Sequence, residues 1–286
     1  MKYVSFMKDG SKRFGILEGD RVFEVDSLEE KEPKGSSYKL SELVLHAPVP
    51  QREIICTLTN SPKMVGVDSK EKARELLFSP KFFIKLSWTI IGPYDTVISP
   101  KSGIRPEVEI AVVTKKKLKN STPAEARDAV LGYTVFNDVT APNEFKKDWY
   151  KAFRRDPNDG KVKEMTVRGN HFRNKNRDTF SPMGPWLVTQ DELTDPYGLR
   201  MRSQINDEVI QEGSSDELVF SIEEILTELS KILTLPKYSI VSTGTIGYFG
   251  AEDPSEFKPK NCEGTMIAEV DKIGKIVNKV VVEQST

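Results

Sequence analysis

The stretch Arg105-Pro106-Glu107-Val108-Glu109-Ile110-Ala111-Val112-Val113 constrains this chain more than any other. Its β-branched residues make it a strand, and in a strand alternate side chains share a face. Val108, Ile110 and Val112 then point into a core, while Glu107 and Glu109 point together into the opposite space. Two like charges at neighbouring positions on one face repel unless something positive sits between them. Two readings are open: a solvent-facing edge strand carrying two ordinary glutamates, or a strand whose carboxylates hold a hard divalent cation. Carboxylate oxygens suit Mg²⁺, Mn²⁺ or Ca²⁺. A second segment, Gly132-Tyr133-Thr134-Val135-Phe136-Asn137-Asp138-Val139-Thr140, is an apolar strand ending in a carboxylate. An aspartate there is ordinarily a turn residue, and Asp138 is also a candidate third oxygen ligand.

The rest of the chain is mostly short β-segments. Residues 1–26 alternate apolar and polar types around Asp9-Gly10 and Glu18-Gly19-Asp20, as antiparallel strands joined by turns do. Residues 27–38 are polar and read as a loop. The prolines of His46-Ala47-Pro48-Val49-Pro50 make a stiff linker and place a domain boundary near residue 50. Strands are expected at 53–58 and around 82–84, with a short helix over 68–77 capped by Asp68. Thr122-Pro123-Ala124-Glu125 opens another helix with a capping box. Residues 145–177 are basic, have few apolar anchors and read as a long loop. A strand resumes at 186–188, and a hairpin over 199–211 turns at Asn206-Asp207. Ser221 and Glu224 start the best helix, with Ile222, Ile225, Leu226, Leu229, Ile232 and Leu233 at helical spacing and Pro236 as its end. Residues 266–282 alternate as strands. The architecture expected is α+β and mainly β, with a small N-terminal β-rich domain (1–50) and a larger one (51–286).

A net charge of −1 provides no field for a polyanion, so neither nucleic acid nor an anionic membrane is expected as a partner. The two cysteines, Cys56 and Cys262, are too few for a disulfide framework. The N-terminus shows no signal-peptide pattern, and no apolar run approaches the ~18 residues of a membrane span. A cytoplasmic location is expected.

Taken together, Glu-x-Glu in a β-run, Gly-Tyr-Thr followed by Asn-Asp-Val-Thr, Asp178-Thr179-Phe180-Ser181-Pro182-Met183-Gly184-Pro185-Trp186, and Thr243-Gly244-Thr245 resemble the fumarylacetoacetate hydrolase superfamily. The likeness runs from about Leu45 to Val281. It implies a mixed β-sandwich or roll of that family's type, a homodimer, a bound Mg²⁺ or Mn²⁺, and a small 2-oxo acid as substrate. Residue by residue it implies Glu107, Glu109 and Asp138 as metal ligands and Lys175 facing the substrate. Thr245 would hold the substrate carboxylate, with Gly244 beside it. Lys85 would stand near the strand preceding the metal site, and Asn60 would belong to the lid motif.

The chain departs from the family's hydrolases where they carry a His–Glu pair that activates water. The matching stretch is Thr59-Asn60-Ser61-Pro62-Lys63-Met64, and Met64 stands where histidine is expected. Methionine takes no proton. The only histidines are His46, in the linker, and His171, just before Lys175. After Asp138, Ala141-Pro142-Asn143-Glu144-Phe145 replaces the family's Ala-Arg-Asp run, a departure similar to the isomerase/decarboxylase branch of homoprotocatechuate catabolism. The function expected is a metal-dependent isomerase, tautomerase or decarboxylase acting on a 2-oxo or 2-hydroxy-dienoic dicarboxylic acid. An acylpyruvate-type C–C hydrolase using His171 or Glu144 as base is the alternative, followed by a 2-oxo-acid-binding pseudoenzyme or a dehydratase of a 2-keto-3-deoxy sugar acid. Lys175 is expected to move a proton if its surroundings lower its pKa.

Overall fold

The computed structural model describes residues 1–33, 35–248 and 263–284; Cys262 lies outside them. It is a mainly β, α+β molecule. The strand carrying the two glutamates, Val108–Thr114, is buried along its whole length. It is no edge strand. It pairs antiparallel with Val130–Asn137 on one side and with Ile240–Ser242 on the other. These belong to a twelve-stranded sheet that runs from Ser37–Lys39 through the N-terminal strands, then Ser181–Thr189, Val130–Asn137, Val108–Thr114, Ile240–Ser242 and Ile54–Leu58 to Lys81–Lys85. The first strand, Lys2–Lys8, joins it by pairing with Ser181–Thr189.

Burial on both faces explains the apolar run. Val108, Ile110 and Val112 pack into a core shared with the helix Ile222–Ile232 and with strands of a separate five-stranded sheet. On the other face Ala111 and Val113 join a second core with Ile54, Cys56 and Phe136. The face that begins with two carboxylates therefore turns apolar within two residues. The polar site is confined to one end of the strand.

Both capping boxes form: Thr122 and Glu125 bond reciprocally at Pro123–Asp128, as do Ser221 and Glu224 at Ile222–Ile232. Four expectations are corrected. The helix Lys70–Leu77 is capped by Ser69, not Asp68, because the extended backbone at Ser69 sets its hydroxyl at the Lys72 N–H. The helix Ile222–Ile232 stops short of Pro236 because Leu235 leaves to bridge with Leu118. The loop over 27–38 ends in a strand, Ser37–Lys39, which pairs with Arg21–Val25. Residues 145–177 are not a plain loop. They form an isolated hairpin, Tyr150–Arg155 with Val162–Val167, and then a single helical turn, Phe172–Lys175. Among the described residues no helix is long and apolar enough to cross a membrane.

Candidate metal centre and its cavity

Three segments meet at one end of the Val108–Thr114 strand. Its antiparallel ladder with Val130–Asn137 opposes Val108 to Asn137, so Glu107 lies beside Asp138, and the Asp138 N–H donates to the Glu107 carbonyl at 2.9 Å. Beyond Ser242, the chain runs back along the same strand; the Thr243 N–H donates to Ile110 O at 3.0 Å. One oxygen from each of Glu107, Glu109 and Asp138 lies within 4.8 Å of the other two, and all three residues are buried. Acids this close need positive charge. Lys175 Nζ supplies some, donating to Glu107 Oε2 at 2.7 Å and Asp138 Oδ2 at 2.5 Å. Lys85 Nζ donates to Asp138 Oδ1 at 2.7 Å from beneath, and Arg105 Nε to Glu107 Oε1 at 3.0 Å.

The surroundings split the two glutamates. Burial raises both, but at Glu107 the charges of Lys175 and Arg105 and hydrogen bonds from Lys175 and Tyr248 prevail and hold the carboxyl at about 2. At Glu109, burial and then the charge of Asp138 push the carboxyl well above the usual range; the Ser242 hydroxyl donates to its Oε2. For Lys175 burial works downward, but Asp138, Glu107 and Glu109 outweigh it and lift the ammonium above its ordinary value. With the three carboxylates beside it and no cation between them, Lys175 is held as an ammonium. The donor set is three carboxylates, all hard oxygen, and fits Mg²⁺, Mn²⁺ or Ca²⁺.

The cavity above these groups has a volume of about 250 Å³. Glu107, Glu109, Asp138, Lys175, His171 and Thr245 all line it. Thr245 Oγ1 donates to Val108 O and accepts from Gln211 Nε2, both at 2.8 Å. His171 stacks on Phe145 at 4.2 Å between ring centroids and faces Asn174 Nδ2 through Nδ1 at 3.3 Å. Burial, then the Lys175 charge, lower the imidazole to about 4, which keeps it neutral near pH 7.

Lys85, Asn60 and Gly244 stand behind the wall rather than on it. Lys85 is fully buried and also donates to Phe180 O at 2.5 Å. Asn60 bonds the backbone of Phe220 through both ends of its amide and donates to Thr243 O at 2.8 Å, clamping the lid base to the Thr243–Thr245 turn. Gly244 has φ +78°, and a Cβ there would meet Asn60 Cβ and Thr57 O at 2.9 Å. Met64, on the short helix Pro62–Val65, does line the cavity. Glu144 does not, since Ser102 and Lys147 hold its carboxylate at 2.8–2.9 Å, so it is no candidate base.

Two supporting residues escaped sequence reasoning. Tyr248 donates to Glu107 Oε1 at 2.7 Å. Gln211 is wholly buried with both ends of its amide engaged: Oε1 accepts from Val108 N and Ser203 Oγ, and Nε2 donates to Thr245 Oγ1 and Ile246 O. Arg105, two residues before the Glu-x-Glu motif, is a third supporting residue, through its bond to Glu107 Oε1.

The family profile described as fumarylacetoacetate hydrolase C-terminal matches residues 53–281, and one described as Rv2993c-like, N-terminal, matches residues 1–48. The chain is 33% identical over 251 residues to the mitochondrial oxaloacetate tautomerase FAHD2A of Bos taurus, covering 84% of this chain and 70% of that protein. It is 30% identical to the 4-hydroxyphenylacetate degradation bifunctional isomerase/decarboxylase of Salmonella dublin, over 77% of this chain and 47% of that one. A solved 5-carboxymethyl-2-hydroxymuconate delta-isomerase from Mycobacterium smegmatis superposes with a TM-score of 0.76 at 26% identity, covering 99% of this chain and 100% of that one.

Proposed function

The chain belongs to the fumarylacetoacetate hydrolase family, and from that premise we propose that it is a divalent-metal-dependent isomerase, tautomerase or decarboxylase acting on a 2-oxo acid through an enolate. The observation that carries this reading is the convergence of Glu107, Glu109 and Asp138 in the cavity, with the Lys175 ammonium paired to Glu107 and Asp138. Glu107, Glu109 and Asp138 would hold Mg²⁺ or Mn²⁺, which supplies Lewis acidity toward the keto and carboxylate oxygens of such an acid. Lys175 sets positive charge where negative charge collects on the keto oxygen. His171 adds a neutral imidazole to the same cavity. Lys85, Arg105 and Tyr248 fix the carboxylates.

The hydrolytic alternative is less well supported. It needs a base to activate water. Met64 takes no proton and the Glu144 carboxylate is engaged, which leaves His171, whose Nδ1 is already engaged with Asn174. The test is purified protein with Mg²⁺, offered the enol form of a 2-oxo acid and, separately, an acylpyruvate. Accelerated loss of the enol absorbance, or release of CO₂, is expected. Steady release of pyruvate from the acylpyruvate refutes the assignment in favour of a hydrolase. The same proposal carries the homodimer and the cytoplasmic location, and light scattering on the eluted protein checks the first.

A further inference from the structure

We infer that the site selects a 2-oxo acid whose far end is uncharged and apolar, a short alkyl or aryl tail, in place of the second carboxylate that the sequence led us to expect. The inference rests on the head-group reading proposed above, concerns the opposite end of the same substrate, and keeps only the isomerase or tautomerase form of that reading, because loss of CO₂ through an enolate requires a second carboxylate.

Charge in this cavity is gathered at one pole. Its five charged lining residues, Arg105, Glu107, Glu109, Asp138 and Lys175, form one contiguous cluster of ion pairs and close carboxylates. A 2-oxo acid head bound there leaves its other end to the remaining lining residues. Among the described residues these include no cation that could meet a second carboxylate. Leu58, Met64, Phe83, Pro142 and Phe145 are apolar. His171 is stacked flat on Phe145 and lies 6.1 Å from Phe83, so an imidazole face extends the same apolar wall.

The polar lining groups, four threonines, Asn174 and His171, offer hydrogen bonds but no charge. Three threonine hydroxyls there already give their protons to backbone carbonyls: Thr57 to Ser242 O at 2.8 Å, Thr140 to Asp138 O at 2.9 Å, and Thr245 to Val108 O at 2.8 Å. Their remaining lone pairs accept and do not donate. Asn174 Nδ2 meets His171 Nδ1 and keeps a second N–H, while its Oδ1 is a buried acceptor with no partner. A carboxylate brought against such a wall loses its hydration and gains no cation. An alkyl group gains from the same contacts. A volume of about 250 Å³ lies below the ~300–1,000 Å³ of pockets for drug-sized ligands, so the tail is short.

The test uses two isosteres that share the head and differ in the tail: 4-methyl-2-oxopentanoate, ending in an isopropyl group, and oxaloacetate, ending in a carboxylate. Oxalate, which has only the chelating head, is the control. Affinity for each is measured by calorimetry on the full chain with saturating Mg²⁺. The branched monoacid is expected to bind at least about tenfold more tightly than oxaloacetate. Phe145→Arg, which puts a cation on the apolar wall, is expected to reduce or invert that ratio by at least about tenfold. Should that variant fail to fold, Met64→Arg asks the same question from the lid helix. Tight oxalate binding with oxaloacetate preferred by the wild type overturns this inference and leaves the head-group reading intact. A folded arginine variant with an unchanged ratio does the same. No Mg²⁺-dependent binding of oxalate overturns both.

Discussion

Lys85 is the most informative residue to remove. Its ammonium is completely buried and donates to Asp138 Oδ1 at 2.7 Å, Phe180 O at 2.5 Å and Val139 O at 3.3 Å. Methionine preserves the length of the side chain and deletes the charge. Asp138 then loses one of its two cations, keeping Lys175 on the other oxygen, and two buried carbonyls lose a donor. Breaking one side of a buried ion pair costs ~3–5 kcal/mol. At ~2 °C or more per kcal/mol for a chain of this size, Tm should fall by at least about 6 °C in EDTA. A second consequence separates a charge effect from ordinary damage to packing. Lys85 repels any cation that the three acids bind, so its removal should strengthen Mg²⁺ binding. The rise in Tm produced by Mg²⁺ should then be larger in Lys85→Met than in the wild type. Differential scanning fluorimetry across a Mg²⁺ series reads both effects. A wild-type Tm in EDTA would show that Lys85 does not support Asp138. An unchanged Mg²⁺ increment would show that the lysine and the metal do not share that carboxylate.

Glu109→Gln removes one of three hard ligands and should weaken Mg²⁺ binding by more than ~100-fold, read by calorimetry; full affinity in this variant refutes the triad. Glu107 has its carboxyl held at about 2, below its ordinary 4.5. Its contribution is therefore fully present above pH 4.5 and is lost as pH falls toward 2. In EDTA, the loss of stability across that window should shrink in Glu107→Gln, and an identical acid limb in both proteins contradicts the ion pair. His171 should titrate near pH 4 by NMR, while an ordinary midpoint near 6.5 would place it in water. Asn60→Ala removes three buried hydrogen bonds and should cost ~3 kcal/mol in urea denaturation; a loss under ~1 kcal/mol would mean that the lid base is held by other contacts.

Local signals predicted local structure well where the chain's own side chains close the motif. Thr122 with Glu125 and Ser221 with Glu224 sit three residues apart, and each box forms whatever the rest of the fold does. Asp68 against Ser69 is the counterexample, since two adjacent capping residues differ only in which one has the extended backbone, a property of the incoming chain. The hairpin over 150–167 was hidden for another reason. Periodicity reveals a strand when one of its faces is buried, and here both faces are open: Tyr150, Phe153, Val162 and Met165 are exposed among lysines, arginines and glutamates.

The site divides along the same line. Glu107, Glu109 and Asp138 were legible because a carboxylate inside an apolar β-run is costly and needs a reason. Gln211 carried no such mark. It lies 103 residues from Val108 and 34 from Thr245, and becomes the tie between the carboxylate-bearing strand and the Thr245 turn only when two sheets are packed. Nothing in a glutamine on a hairpin strand foretells that each end of its amide will be engaged twice. The substrate's far end illustrates the same difficulty in reverse. A family resemblance carries over the residues that match its motif, and those residues gather at the charged pole. The opposite wall is built by the positions that do not match, Met64 on the lid and Pro142 and Phe145 after the third ligand. In this chain the mismatches therefore bear on specificity while the matches bear on chemistry. That division is why a dicarboxylic acid followed from the sequence and an apolar tail follows from the cavity.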